Sequence, residues 1–210
     1  MTSNHDKTLQ LLGFTHDSIV ETIMVTVNSD GTYNAAPMGV INRGGFIEAR
    51  PFRSSRSYMN LHNGDEASIN LTDDPMLFLG TAFKDEMAYV PEVNNWALRG
   101  CDATMLLSKL DEFDISSLQA VFKLKPIRIE ITKESPTVFS RGRAMAIEAV
   151  IHATRVNVFQ AEGNYGAVDE LLNRIDSCID VITRVSASNS PEVQVVEKLG
   201  ELMRRWGVNR

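Results

Sequence analysis

The sequence is poor in cysteine and in the motifs that mark many catalytic families. Its two cysteines, Cys101 and Cys178, lie far apart without a Cys-x-x-Cys or histidine partner, so we expect neither a disulfide nor a metal site. It contains no Gly-x-Ser-x-Gly elbow, P-loop, His-Glu-x-x-His helix or Gly-x-Gly-x-x-Gly turn. The sequence therefore gives no motif support for a hydrolase, an NTPase, a zinc protease or a nicotinamide-dependent dehydrogenase.

Long apolar runs and an excess of positive charge are also missing. No run approaches the ~18 residues of a membrane-spanning helix, and the N-terminus is polar without a secretory pattern. We therefore expect a cytoplasmic protein that contacts no membrane. The net charge of −6 argues against general nucleic-acid binding, because that affinity comes from many Lys and Arg side chains that neutralise phosphates.

The first part of the chain predicts a meander of short antiparallel strands. Residues 19–27 alternate and are rich in β-branched side chains, and residues 28–31 (Asn-Ser-Asp-Gly) supply a turn before a second extended run at 33–41. Residues 46–49 continue the extended pattern. Together these segments predict three consecutive strands.

A short helix and a further strand follow. Ser54 or Ser55 is placed to cap a helix that ends near Gly64, and residues 67–71 alternate as a half-buried strand. Residues 76–121 show no clear period, and we expect an irregular region with short helices there.

The last part of the chain predicts one strand of alternating residues and an α-helical hairpin. Residues 127–131 alternate, whereas residues 146–158 are compatible with a strand or, alternatively, a helix. Apolar residues fall at helical spacing over 168–182 and again over 195–206. We therefore expect an α+β, mainly β protein, with domains at 1–160 and 161–210.

Positive charge is concentrated in one short segment. Between Arg43 and Arg56 the chain carries four Arg and a single acidic residue, Glu48. Residues 50–57 (Arg-Pro-Phe-Arg-Ser-Ser-Arg-Ser) combine guanidinium groups, hydroxyls and a helix start, whose free N–H groups and positive dipole attract anions. This chemistry fits a terminal phosphate. A solvated basic turn whose serines only cap the helix is the alternative.

Two other features could take part in a site. Residues 34–39 (Asn-Ala-Ala-Pro-Met-Gly) are small and uncharged, so their backbone could face a flat polar ring, although an ordinary edge strand is the alternative. His152 lies in an apolar run, which favours a core or barrel-lining histidine over a catalytic one. It is nevertheless the one candidate proton donor.

The order of these motifs resembles a known family. The pattern comprises Asn34-Ala-Ala-Pro-Met-Gly39, Arg50-Pro-Phe52, Ser55-x-Ser-Tyr-x-Asn-Leu61, Ser68-Ile-Asn70, Thr72-Asp-Asp-Pro75 and the later Ile147-Glu-Ala149 with Ala153-Thr-Arg155. It is similar to an uncharacterised archaeal and bacterial family of FMN-binding split-barrel proteins. More distantly, it resembles flavin reductases and pyridoxamine-phosphate oxidases.

The resemblance implies a six-stranded antiparallel split barrel that forms a homodimer with FMN at the subunit interface. It places Arg50, Ser55 and Ser57, next to Ser54, near the phosphate. It places Phe52 and Asn70 near the flavin or its ribityl chain, and Met38 with Gly39 along the ring. We therefore expect a flavin-dependent oxidoreductase. The alternatives are a non-catalytic flavin-binding module or a split barrel that binds haem or a deazaflavin.

Overall fold

The chain folds into two compact units. A computed structural model describes residues 4–14, 19–88, 90–133, 141–186 and 188–208. The barrel unit comprises Met1–Thr72 and Pro91–Ser135, and the helical unit comprises Asp73–Val90 and Pro136–Arg210. The boundary at residue 160 that the sequence suggests differs from this division because it assigns residues 146–158 to the barrel.

Antiparallel strands close the barrel unit. In chain order its elements are α1 (Asn4–Leu11), β1 (Ile19–Val27), β2 (Tyr33–Asn42), β3 (Ile47–Ala49), α2 (Arg56–Asn63), β4 (Glu66–Leu71), β5 (Val93–Asn94), β6 (Ala97–Leu98), β7 (Ala103–Asp114) and β8 (Ala120–Ile131). Six of the strands form the barrel in the order β1-β2-β3-β8-β7-β4, while β5 pairs only with β6. The expected antiparallel six-stranded barrel is confirmed.

Sequence periodicity explains the confirmed strands. Alternate residues of β1 to β4 enter one apolar core, which includes Met24, Val40, Ile47 and Ile69. The turn between β1 and β2 has Gly31 at φ 82°, where a side chain would be strained. The predicted meander therefore forms with its expected turn.

The expectation of an irregular region at 76–121 is wrong for its second part. Residues 103–114 form β7, a long strand that pairs with β4 and β8. Its inner half is buried and its outer half, from Lys109 onward, is mostly exposed. Since both faces of this outer half are exposed, its apolar and polar residues do not alternate, and its sequence resembles that of a loop.

In the described part of the helical unit, four helices surround a second apolar core. They are α3 (Pro75–Ala82), α4 (Arg141–Ala161), α5 (Tyr165–Val185) and α6 (Pro191–Arg205). The predicted C-terminal helical hairpin is confirmed as α5 and α6. The strand expected at 146–158 is wrong, and the helical alternative is confirmed by α4.

Candidate functional site

The segment from Arg50 to Ser57 connects β3 to α2. The Ser55 hydroxyl accepts a hydrogen bond from the Tyr58 N–H at 3.1 Å, which makes Ser55 the cap that the sequence predicts. Three backbone N–H groups around this cap, those of Ser54, Arg56 and Ser57, have no acceptor among the residues that the structure describes. Free donors at a helix start attract an anion.

Arg50 lies at the end of β3, where its guanidinium contacts Glu48. Its Nη2 is 2.5 Å from Oε1 of Glu48, and Arg43 approaches the same carboxylate with Nε 2.9 Å from Oε2. Hydrogen bonds from Arg43 hold the pKa of the Glu48 carboxyl below its ordinary value, and Arg50 adds to this while burial opposes it. Glu48 therefore stays charged and compensates part of the local positive charge.

Arg53 faces α2 and the turn between β7 and β8. Its Nη1 donates to the Tyr58 hydroxyl at 3.3 Å, and its guanidinium lies 5.4 Å from the centre of the Tyr58 ring. Nη2 forms an ion pair with Asp114. The backbone N–H of Arg53 donates to the Leu118 carbonyl at 2.9 Å, which fastens the segment to the β7–β8 turn.

Ser57 is buried, and its hydroxyl contacts protein. Nδ2 of Asn34 lies 3.2 Å from the Ser57 Oγ and 3.1 Å from the Thr26 Oγ1. Asn60 donates to the same Thr26 oxygen at 3.0 Å and to Asn28 at 2.9 Å. Asn34, Ser57 and Asn60, all members of the sequence motifs, thus join α2 to the β1–β2 hairpin.

The residues expected beside a flavin ring occupy different faces of the barrel. Met38 packs against the barrel core and its carbonyl accepts a hydrogen bond from Thr22 at 2.9 Å. Gly39 is the next residue of β2, so it projects to the opposite face. Phe52 forms an isolated bridge with Gln119.

Asn70 is wholly buried and fastens the β5–β6 hairpin to the barrel. Its Oδ1 accepts from the Leu98 N–H at 2.9 Å and from the Thr104 hydroxyl at 2.8 Å. Its Nδ2 lies 3.1 Å from the Ser68 Oγ and 3.3 Å from the Trp96 carbonyl. The structure therefore satisfies this amide with protein groups.

Trp96 is a feature that sequence reasoning missed. Asn95 and Trp96 form the hairpin turn with φ values of 47° and 71°, which non-glycine residues rarely adopt. The Trp96 ring packs edge-on against Tyr33, with centroids 5.6 Å apart. Asn followed by Trp lacks the glycine that usually marks such a turn, so no local signal identifies it.

His152 lies on α4 in the core of the helical unit. Its side chain is 8% exposed, and its Nε2 is 3.2 Å from the Glu148 carboxylate. Its buried Nδ1 has no partner among the described residues. Burial lowers the pKa of His152, Glu148 raises it, and Arg155 and Arg174 lower it further.

Both cysteines are buried and free. Burial raises the pKa of the Cys101 and Cys178 thiols, which opposes formation of a reactive thiolate. Among the residues described, no group of three His, Cys, Asp or Glu side chains is placed to hold a metal ion. Every helix in the described ranges is too short or too polar to cross a membrane.

The segment from Arg50 to Ser57 fits a phosphate group. Its free backbone donors match the acceptor oxygens of a phosphate, and the Arg56 side chain is exposed. The hydroxyls of Ser55 and Ser57 already contact protein groups. Ser55 therefore caps the helix, and Ser57 can offer a ligand only its backbone N–H group. The remaining hydroxyl, that of Ser54, is exposed.

Comparison with solved structures supports the fold. The FMN-bound protein MM1853 from Methanosarcina mazei, which carries the DUF447 designation, is 23% identical, with a TM-score of 0.73 over 92% of this chain and 98% of that chain. The styrene monooxygenase flavin reductase from Pseudomonas putida S12 is 12% identical, with a TM-score of 0.46 over 64% of this chain and 89% of that one.

Family comparison covers both units. The N-terminal domain of the family described as "Protein of unknown function (DUF447)" matches residues 20–133. The part described as "Protein of unknown function (DUF447)" matches residues 140–203. The first match alone spans more than half of the chain, and the split-barrel family expected from the sequence motifs is confirmed. The chain therefore belongs to the DUF447 family.

Proposed function

We propose that this chain binds flavin mononucleotide and that the segment from Arg50 to Ser57 holds its phosphate. The observation that carries the proposal is the set of unpaired N–H groups of Ser54, Arg56 and Ser57 at the start of α2. A family relative of the same fold is an FMN-bound protein. The free donors and the relative's ligand support the same interpretation.

The residues of the segment would have different roles in binding the phosphate. Arg50 supplies a guanidinium, and its side chain is 46% exposed, so it can reach a ligand while it contacts Glu48. Ser54 supplies an exposed hydroxyl, and Ser55 fixes the helix start. Ser57 donates its N–H, and its buried hydroxyl holds Asn34.

The flavin ring is proposed to lie along the backbone of β2 at Met38 and Gly39, with Phe52 at its edge. Asn70 is proposed to act on the flavin indirectly, because it orients the β5–β6 hairpin through its contacts with Trp96 and Leu98. The cofactor would supply hydride or electron transfer, whereas the chain binds it, orients it and excludes water. This makes a flavin-dependent oxidoreductase the function that the site supports best.

We also propose a homodimer with the flavin at the subunit interface. The apolar stripes of α5 and α6 pack into the core of the helical unit. Large apolar side chains are instead exposed on the outer part of β7 and the following turn: Leu110, Phe113, Ile115 and Leu118. Such a group on a chain surface is typical of a protein interface.

The absorbance spectrum and mass of the ligand released from purified protein test the cofactor directly. We expect flavin absorbance and the mass of FMN. Release of haem or a deazaflavin would contradict the cofactor assignment. Reduction of the bound flavin by NADH, NADPH or a reduced deazaflavin would support an oxidoreductase, and failure with every donor would favour a non-catalytic flavin-binding module.

A further inference from the structure

We infer that Arg53 is a second guanidinium for the flavin phosphate and that Asp114 competes with the phosphate for it. This inference rests on the proposed function, and it assigns a recognition residue and a regulating carboxylate to the same site. Arg53 is three residues before the first turn of α2 and contacts that helix through Tyr58.

The guanidinium of Arg53 is not fully satisfied. Its Nε is buried and has no acceptor among the described residues, although Nη1 contacts Tyr58 and Nη2 contacts Asp114. A buried donor without an acceptor is unfavourable, and an anion with several oxygens is the ligand that would relieve it. The same guanidinium is held over the Tyr58 ring, so its position is restricted before any ligand binds.

A groove lies beside this guanidinium. It has a volume of about 450 Å³ and is lined by Arg53, Asp114, Ile115, Ser116 and Ser117. The Ser116 hydroxyl accepts from the N–H groups of Leu118 and Gln119, both at 3.1 Å, and so shapes the turn. Asp114 is the acidic residue of the groove, and it stands where an anionic ligand would meet Arg53.

The partner of Arg53 is easier to displace than the partner of Arg50. In the single chain the Asp114 side chain is 68% exposed, and exposed ion pairs contribute little because water and salt screen them. The Glu48 side chain is 10% exposed and is shared with Arg43. A phosphate therefore replaces Asp114 on Arg53 at a smaller cost than it replaces Glu48 on Arg50.

This arrangement predicts effects of opposite sign for two substitutions. Arg53→Gln removes the charge that binds phosphate and should weaken FMN binding by about ten- to hundredfold. Asp114→Asn removes the competitor and should tighten FMN binding by about two- to fivefold. In the Arg53→Gln background, Asp114→Asn should change nothing, because the guanidinium for which it competes is gone.

Fluorescence titration of the purified full chain with FMN and with riboflavin provides the test. Riboflavin lacks the phosphate, so its affinity should stay unchanged in every variant. Asp111→Asn is the matched control, since Asp111 is also an exposed carboxylate of β7 but pairs with Lys123. Circular dichroism establishes that each variant is folded.

The outcomes separate this inference from the proposed function. If the native chain binds neither flavin, or binds both equally, the proposed phosphate site is wrong. If it prefers FMN but Asp114→Asn leaves that preference unchanged, the role of Arg53 and Asp114 is wrong. Because Asp114 is exposed, its variant decides the question even if Arg53→Gln fails to fold.

Discussion

The amide of Asn34 donates to the hydroxyl of Ser57 over 3.2 Å and so links β2 to the first turn of α2. Both groups are buried, and Asn34 also contacts Thr26 at 3.1 Å. The position of the proposed phosphate donors therefore depends on a polar network inside the barrel unit. Asn34 and Ser57 belong to motifs that suggest ligand contacts, but their side chains also hold α2 in place.

Asn34→Ala should destabilise the protein. It leaves the buried hydroxyls of Ser57 and Thr26 without this donor, so we expect the free energy of unfolding to fall by about 1–3 kcal/mol. Urea denaturation of the ligand-free chain measures it. Asn63→Ala is the control, because Asn63 is an exposed residue of the same helix and its loss should cost less than about 0.5 kcal/mol. Equal effects of the two substitutions would contradict the supporting role.

Arg50→Ala should weaken binding of FMN but not of riboflavin. A charge-assisted contact to the phosphate is worth about 1.5–3 kcal/mol, which corresponds to roughly one to two orders of magnitude in affinity. Equilibrium titration with both flavins measures the difference. Arg99→Ala is the control, because Arg99 is an 82% exposed arginine of the same unit that pairs with Glu92. Equal losses for both flavins would remove Arg50 from the phosphate site.

Cys101→Ser and Cys178→Ser should leave flavin binding and flavin reduction almost unchanged. Both thiols are buried with raised pKa values, and neither is prepared to act as a nucleophile. A thiol reagent should accordingly label the native chain slowly and the urea-unfolded chain fast. Loss of flavin reduction in a serine variant that still binds FMN would assign a chemical role to that cysteine.

Leu110→Glu should shift the protein from dimer to monomer. The exposed apolar group around β7 is the proposed contact with a second copy, and a charge within it would have to be desolvated on association. Light scattering should report about twice the chain mass of 23.4 kDa for the native protein. Leu11→Glu, a change at an 86% exposed leucine of α1, should leave the mass unchanged. A native monomer with FMN bound would contradict the dimer.

Local patterns predict those elements whose two faces differ. β1, β2 and β4 each bury one face in the barrel core, and the cap of α2 at Ser55 has its own chemistry. The proposed phosphate site, residues 50–57, is visible in the sequence for another reason, because its candidate donors are consecutive.

Tertiary context decides the remaining elements. α4 contacts α3, α5 and α6, so apolar residues surround it and the helical period is weak. Arg50 and Glu48 are close in sequence, but the contact of Arg43 with the same carboxylate crosses the β2–β3 turn, and Arg53 meets Asp114 at the far end of β7. The sequence thus shows which functional groups the proposed site contains, but it does not show which arginines pair with a carboxylate of the protein.

His152 should make the stability of the protein depend on pH below neutrality. Burial lowers the pKa of this histidine from its ordinary value of 6.5, so the unfolded chain binds its proton at a higher pH than the folded chain does. Stability is therefore complete above about pH 6.5, falls as the pH drops toward the folded pKa, and stops falling below it. Arg155 and Arg174 act in the same direction, and Glu148 opposes them.

Urea unfolding followed by circular dichroism at a helix band between pH 5 and pH 7.5 measures this slope. His152→Leu removes the titrating group and should flatten the slope in this range. The same His152 variant should keep its rate of flavin reduction, because the side chain is buried on α4 and its Nε2 contacts Glu148. A lost reduction rate with an unchanged stability slope would instead make His152 the proton donor and reject the structural role.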